Sequence, residues 1–119
     1  MIIGIGTDIV EVERIRRAME NPRFVEKVFT PAEIDHCGKN FGSYAGRWAA
    51  KEAVMKAFGT GFAGGSFTDI EILNDVRGKP EINLTGNFKK LAENTGVKNF
   101  FISISHEKNF ATAVCILEI

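Results

Sequence analysis

The stretch RWAAKEAVMKAFGTG, residues 47 to 61, constrains this chain more than any other. Ala49, Ala50, Ala53, Val54 and Ala57 fall at helical spacing and form a small apolar stripe that lets a neighbouring element approach closely. The pattern predicts a helix from about Tyr44 to Phe58, preceded by Gly42 and Ser43. Gly59, Thr60, Gly61, Gly64 and Gly65 then stop it and make a turn. A helix with so shallow a face belongs at the centre of a fold, seated against a sheet.

The remaining segments supply that sheet. Residues 2 to 10, IIGIGTDIV, are β-branched and read as a strand. From Glu11 to about Glu20, Val12, Ile15 and Met19 mark a short amphipathic helix that Pro22 is expected to end. RFVEKVF (23–29) reads as a turn or two of helix. Thr30-Pro31-Ala32-Glu33 is a helix start, with Thr30 as N-cap, proline at the first position and Glu33 completing a capping box. FTDIEILND (67–75) and KPEINLTG, joined through Arg77-Gly78, read as a hairpin. NFKKLAENTG (87–96) is a helix closed by Gly96, and NFFISISH (99–106) and FATAVCILEI (110–119) are strands. Strands cluster after the main helix instead of alternating with helices. This predicts one α+β domain over 1–119, with a largely antiparallel sheet packed on the alanine-rich central helix.

Composition narrows the function classes. The chain has 119 residues, suited to one compact domain. Its formal net charge is zero, so no global field favours nucleic acid or an anionic membrane, and any anion recognition must be local. No apolar stretch reaches membrane-spanning length, and the N-terminus lacks the features of a secretory leader. Cys37 and Cys115 form no CxxC or Cys/His cluster and are expected as buried thiols in a reducing cytoplasm.

Few residues carry chemistry. Glu52 and Lys56 lie four apart and so leave one face of the helix, about 40° from each other. They are either an ordinary surface ion pair or a metal ligand beside a phosphate-binding lysine, since Gly59-Thr60-Gly61 follows with amides open to a phosphate. The lysine precedes the glycines, so this is no P-loop. Asp8 stands inside an apolar strand: either it faces solvent or caps a turn, or it is an oxygen ligand for a hard cation such as Mg²⁺. His106 closes FISISH, and His36 reads as structural. Two histidines without ligand spacing argue against zinc, and no GxSxG elbow supports a hydrolase triad. Arg14, Arg16, Arg17, Arg23 and Lys27 interleave with Glu11, Glu13, Glu20 and Glu26. Arg14 and Arg17, at i,i+3, could meet an acidic partner.

GIGTDIVEVERI, RWAAKEAVMKAFGTG and SISHEKNFATAVCILE, with FTPAEIDHC and RGKPEI between them, together resemble the holo-acyl-carrier-protein synthases, the short bacterial class of 4′-phosphopantetheinyl transferases. The resemblance runs from residue 2 to the C-terminus. Trp48 stands where many members carry Phe, and Cys115 interrupts the aliphatic run of the last strand. The resemblance implies the fold of that family and Mg²⁺-dependent transfer of the phosphopantetheine arm of coenzyme A to a serine of apo acyl carrier protein, for fatty acid biosynthesis. Adenosine 3′,5′-bisphosphate is the other product. By motif, it places Asp8 and Glu52 as metal ligands and Lys56 by the pyrophosphate or the reacting hydroxyl, with Gly59 and Thr60 beside it. It sets His106 beside the coenzyme phosphates, and Arg47 with the Gly78-Lys79-Pro80 turn near the nucleotide. It puts Arg14, with Arg17, at the carrier-protein contact. It further implies a cytoplasmic homotrimer with sites between subunits. The base for the serine proton stays open between a bound water and Glu52. Two other readings are a transferase for a polyketide or peptide synthase carrier domain, and a coenzyme A-binding module without turnover.

Overall fold

The computed structural model describes all 119 residues. In chain order it has β1 (Ile2–Glu11), α1 (Val12–Ala18), α2 (Pro22–Val28), α3 (Pro31–Cys37) and α4 (Phe41–Phe58). A 3-10 turn (Phe67–Asp69), β2 (Ile70–Asn74), β3 (Pro80–Leu84), α5 (Gly86–Thr95), β4 (Asn99–His106) and β5 (Phe110–Glu118) follow. The α+β class and the antiparallel pairing agree with the sequence. The strands, however, form two sheets: β1-β5-β4 and the separate hairpin β2-β3.

α4 is the axis of the molecule. Between Tyr44 and Phe58 only Lys56 is exposed. Trp48, Glu52 and Phe58 are half-buried, and the first two share the face of Lys56. A helix covered on nearly every side needs little amphipathicity, which accounts for its alanine content. β1 meets it through glycine. Successive strand residues alternate faces, so Gly4, Gly6, Asp8 and Val10 point inward while Ile3, Ile5, Thr7 and Ile9 point outward. A Cβ on Gly6 would run into the Ala53 carbonyl, and one on Gly4 into that of Ala57. Strand and helix thus touch backbone to backbone.

Several boundaries differ from expectation for local reasons. α4 starts at Phe41, before the predicted Tyr44, because the Asn40 side chain accepts from the Ser43 amide and takes Gly42 and Ser43 into the first turn. Pro22 does not end the first helix; it opens α2, with Asn21 as its cap. The segment 67–75 opens with a 3-10 turn, Phe67–Asp69, before β2 begins at Ile70. The capping box at Thr30 and Glu33 is present as expected.

Beneath α4 lies an ion pair that the sequence reading missed. Lys51 and Glu33 are both fully buried, 2.7 Å apart. The Lys51 ammonium also donates to the carbonyls of Val28 (2.7 Å) and Phe67 (3.1 Å). Glu33 accepts from the amides of Thr30 and Ile72, both at 2.9 Å. Every charge is paired and hydrogen-bonded, the condition under which a buried pair is tolerated. Cys37 and Cys115 are buried free thiols, and burial pushes Cys115 up to about 12.

Candidate active site

The inward alternation of β1 and the exposed strip of α4 bring three expected residues together. Asp8 lies on the helix-facing side of its strand, its side chain 15% exposed, so it is not a solvent-face residue. Its carboxylate accepts from the Lys56 ammonium at 3.1 Å. Lys56 therefore pairs across to the strand, and no ion pair joins it to Glu52, its neighbour one turn back. The ordinary i,i+4 pair is not what forms.

Glu52 sits beside them, half-buried. Burial, and then the charge of Asp8, raise its pKa, while Lys56 and Arg14 oppose the shift. Two carboxylates held close enough to repel, from two elements locked by glycine and alanine, could together hold a cation. No cluster of three His, Cys, Asp or Glu exists anywhere in the chain. Two oxygen donors with no nitrogen or sulfur fit Mg²⁺, which keeps waters and takes phosphate oxygens to complete its shell. They do not fit a structural zinc.

The strip opens into a groove of about 360 Å³ lined by Glu52, Met55, Lys56, Gly59, Gly61 and Phe62. Gly59, left-handed at φ 74°, is the helix C-cap. The exposed turn of Gly59, Thr60 and Gly61 presents backbone to the same space as Lys56. Met55 and Phe62 were not anticipated, because nothing in their spacing separates a groove wall from a core position.

The other expected site residues lie elsewhere in the chain. Arg47, five positions before Glu52, points roughly 140° around the helix from it. It is 6% exposed and bonded to the Asn74 amide oxygen, and Asn74 donates to the Gly78 carbonyl at 2.7 Å. The Arg47 Nε is buried without a partner. Lys79 is exposed and Pro80 half-buried in the turn that this network holds. His106 stands over Gly42, at the far end of α4: a Cβ there would lie 2.8 Å from its Nδ1. Gly42 is ten residues from Glu52, or about 15 Å at the helical rise. The groove residues and these others therefore form two separate groups, on different sides of α4.

On α1, Arg16 grips Glu13 at 2.5 and 2.8 Å, and Arg17 leans on the same carboxylate at 3.6 Å. Arg14 has no acidic partner and lies 6.0 Å over the Trp48 ring, at the head of the strip that leads to Glu52. Of the two arginines expected at a partner contact, Arg14 is the unengaged one.

Residues 4–115 match the family model of the 4′-phosphopantetheinyl transferase superfamily. The holo-[acyl-carrier-protein] synthase of Halothermothrix orenii is 46% identical over 123 residues, spanning 99% of this chain and 98% of its own. The crystal structure of the Neisseria meningitidis synthase superposes with a TM-score of 0.91 at 38% identity, covering 100% of both chains. The Helicobacter pylori synthase, solved in complex with coenzyme A, superposes with a TM-score of 0.86 at 34% identity over 96% of this chain and 99% of that one.

Proposed function

Because this chain belongs to the 4′-phosphopantetheinyl transferase superfamily, we infer that it acts as a holo-acyl-carrier-protein synthase. It moves the 4′-phosphopantetheine arm from coenzyme A to a serine of apo acyl carrier protein and releases adenosine 3′,5′-bisphosphate, serving fatty acid biosynthesis. The observation that carries this reading is that Lys56, bonded to Asp8, and Glu52 together line the groove that runs to the glycine turn.

The serine oxygen forms a bond to the phosphorus bearing the arm, and the bond from that phosphorus to the bridging oxygen breaks. The electron pair leaves with the adenosine bisphosphate. Charge on the non-bridging oxygens and on the leaving group must be neutralised during this exchange. Lys56, 54% exposed, presents a cation to the groove from the helix edge. The glycine turn after it admits a phosphate closely. Asp8 and Glu52 would hold Mg²⁺, which supplies further charge neutralisation on the pyrophosphate. The serine proton goes to Glu52 or to a water held at the site. The nucleophile comes from the partner protein, so this chain needs none. Arg14, unengaged at the head of the strip, is the side chain to meet an acidic carrier surface, with Arg17 next to it.

The second half-site is supplied by another copy. Arg47 with its unpartnered Nε, the Gly78-Lys79-Pro80 turn and His106 form the nucleotide side, contributed across a subunit boundary. The outer face of β1-β5-β4 offers that boundary: Ile5, Ile116 and Phe101 stand in register across the three strands, and Ile3 and Ile9 are exposed beside them. Such an apolar face on a small protein is a contact surface. A head-to-tail contact that closes by rotation, here a homotrimer, gives every groove one neighbour. The two free buried thiols suit a cytoplasmic setting.

The test is intact-mass spectrometry of apo acyl carrier protein incubated with this protein, coenzyme A and Mg²⁺. A mass gain of one phosphopantetheine arm, lost with EDTA, is expected. Coenzyme A retained with no gain on any carrier would make the chain a binding module.

A further inference from the structure

Trp48, Glu52 and Lys56 follow one another at four-residue spacing on α4 and so share one strip. At its head stands Trp48, the one tryptophan of the chain, half-buried and held by two other rings. Phe67 stacks on it with centroids 4.8 Å apart, and Phe24 of α2 lies at 5.7 Å, tilted by 32°. The indole is thus fixed from the 3-10 turn and from α2. Over it α1 lays a guanidinium, with the Arg14 carbon 6.0 Å from the ring centroid. Arg16 and Arg17 turn to Glu13, whereas no carboxylate holds the exposed Arg14. An aromatic face attracts a cation without occupying its hydrogen-bond donors, so the N–H fork of Arg14 stays free for a partner.

We propose that Trp48 is a positioning residue for the carrier protein: its indole holds the Arg14 guanidinium at the head of the strip, ready for an acidic side chain of the carrier. The proposal rests on the reading of Arg14 as the carrier contact. An unheld arginine samples many rotamers and loses them on binding, which weakens association. An indole already fixed by Phe24 and Phe67 supplies part of that ordering before the carrier arrives. Tryptophan offers a cation the strongest of the aromatic faces, and phenylalanine a weaker one. The charge of Arg14 also reaches Glu52, where it opposes the raised pKa, so a carrier held there lies beside the groove. Trp48 does not line the groove itself, and its effect on the reaction runs through Arg14.

The experiment is a double-variant cycle on the intact enzyme: wild type, Arg14→Ala, Trp48→Leu and the two combined. KM for the apo carrier and KM for coenzyme A are measured for each, with product read by intact mass. In Trp48→Leu the carrier KM is expected to rise at least about threefold, with the coenzyme A KM within about twofold of wild type. In the Arg14→Ala background the same substitution should change the carrier KM by less than about twofold, because the indole then has no guanidinium to hold. Trp48→Phe keeps a ring against Phe67 and should fall between wild type and Trp48→Leu. A carrier KM unchanged in Trp48→Leu, or raised by the same factor with and without Arg14, would overturn the proposal. A parallel rise of both KM values in Trp48→Leu and Trp48→Phe would equally overturn it, making Trp48 a packing residue. Arg14→Ala with a wild-type carrier KM would instead overturn the carrier-contact reading, and wild type that transfers no arm the transferase reading.

Discussion

Lys56 bonds to Asp8, on the facing strand, and leaves Glu52, its neighbour one turn away, without an ion-pair partner. That choice keeps Asp8 neutralised and leaves Glu52 half-buried and unpaired at the groove. Lys56 is largely exposed, so its pair with Asp8 contributes about 1 kcal/mol or less to stability. Asp8→Ala and Glu52→Ala should therefore fold and assemble normally, yet lose about 10²–10³-fold or more in turnover through lost charge stabilisation. Near wild-type turnover of either variant at low Mg²⁺ would remove these residues from the metal-ligand role.

Glu52 also carries a pH signature. Its pKa lies above the ordinary 4.5 in the folded protein, first through burial and then through Asp8. A carboxyl shifted upward binds its proton more tightly when folded. Its contribution to stability is full below the ordinary value and is lost as pH rises through the raised one. In EDTA, Glu52→Gln should gain in Tm relative to wild type as pH goes from about 4 to 7. Added Mg²⁺ should then raise the Tm of wild type but not of the variant. A pH-independent difference in Tm between the two would show that ionised Glu52 costs the apoprotein nothing.

The contact that places Asp8 is steric. Any Cβ at Gly6 meets the Ala53 carbonyl, so Gly6→Ala must push β1 away from α4. Overpacking of this kind costs about 1–3 kcal/mol, and it also separates Asp8 from Glu52. Urea denaturation should report the first effect and turnover of the remaining folded protein the second. Unchanged stability would mean that strand and helix are less tightly seated than described.

How far the sequence could be read follows from the same residues. The alanine stripe, the Thr30 capping box and the hairpin are local patterns, and local patterns survive into the structure. Asp8 could be singled out because a carboxylate in an apolar strand is unusual. Its direction could not, since Gly4 and Gly6 show no apolar alternation; their meaning lies in the carbonyls of Ala53 and Ala57, fifty residues away. Lys51 gave even less signal. It reads as one more helix charge until Glu33, Val28 and Phe67 are brought around it by the tertiary fold. The separation of Lys56 from Arg47 was legible only as helical phase.

The buried pair can be separated from catalysis. Lys51→Met leaves Glu33 charged and unpaired in the core, which should cost about 3–5 kcal/mol. The double variant Lys51→Met/Glu33→Leu replaces both partners with apolar groups and should recover most of that stability. Denaturation midpoints of the two variants decide it: equal loss in both would mean that the hydrogen bonds to Val28, Phe67, Thr30 and Ile72 matter more than the charges.

A shared site can be tested by mixing defects. Lys56→Ala disables the groove half and His106→Ala the other half; both side chains are exposed, so both proteins should fold. Each alone should be nearly inactive. Unfolded together in equal amounts and refolded, they assemble at random. A boundary works when its groove comes from the His106→Ala chain and its histidine from the Lys56→Ala chain. One such arrangement in four gives about a quarter of wild-type turnover if every site lies between two copies. If both half-sites were served by the same chain, no mixed assembly would contain an intact site, and the mixture would be no more active than its components.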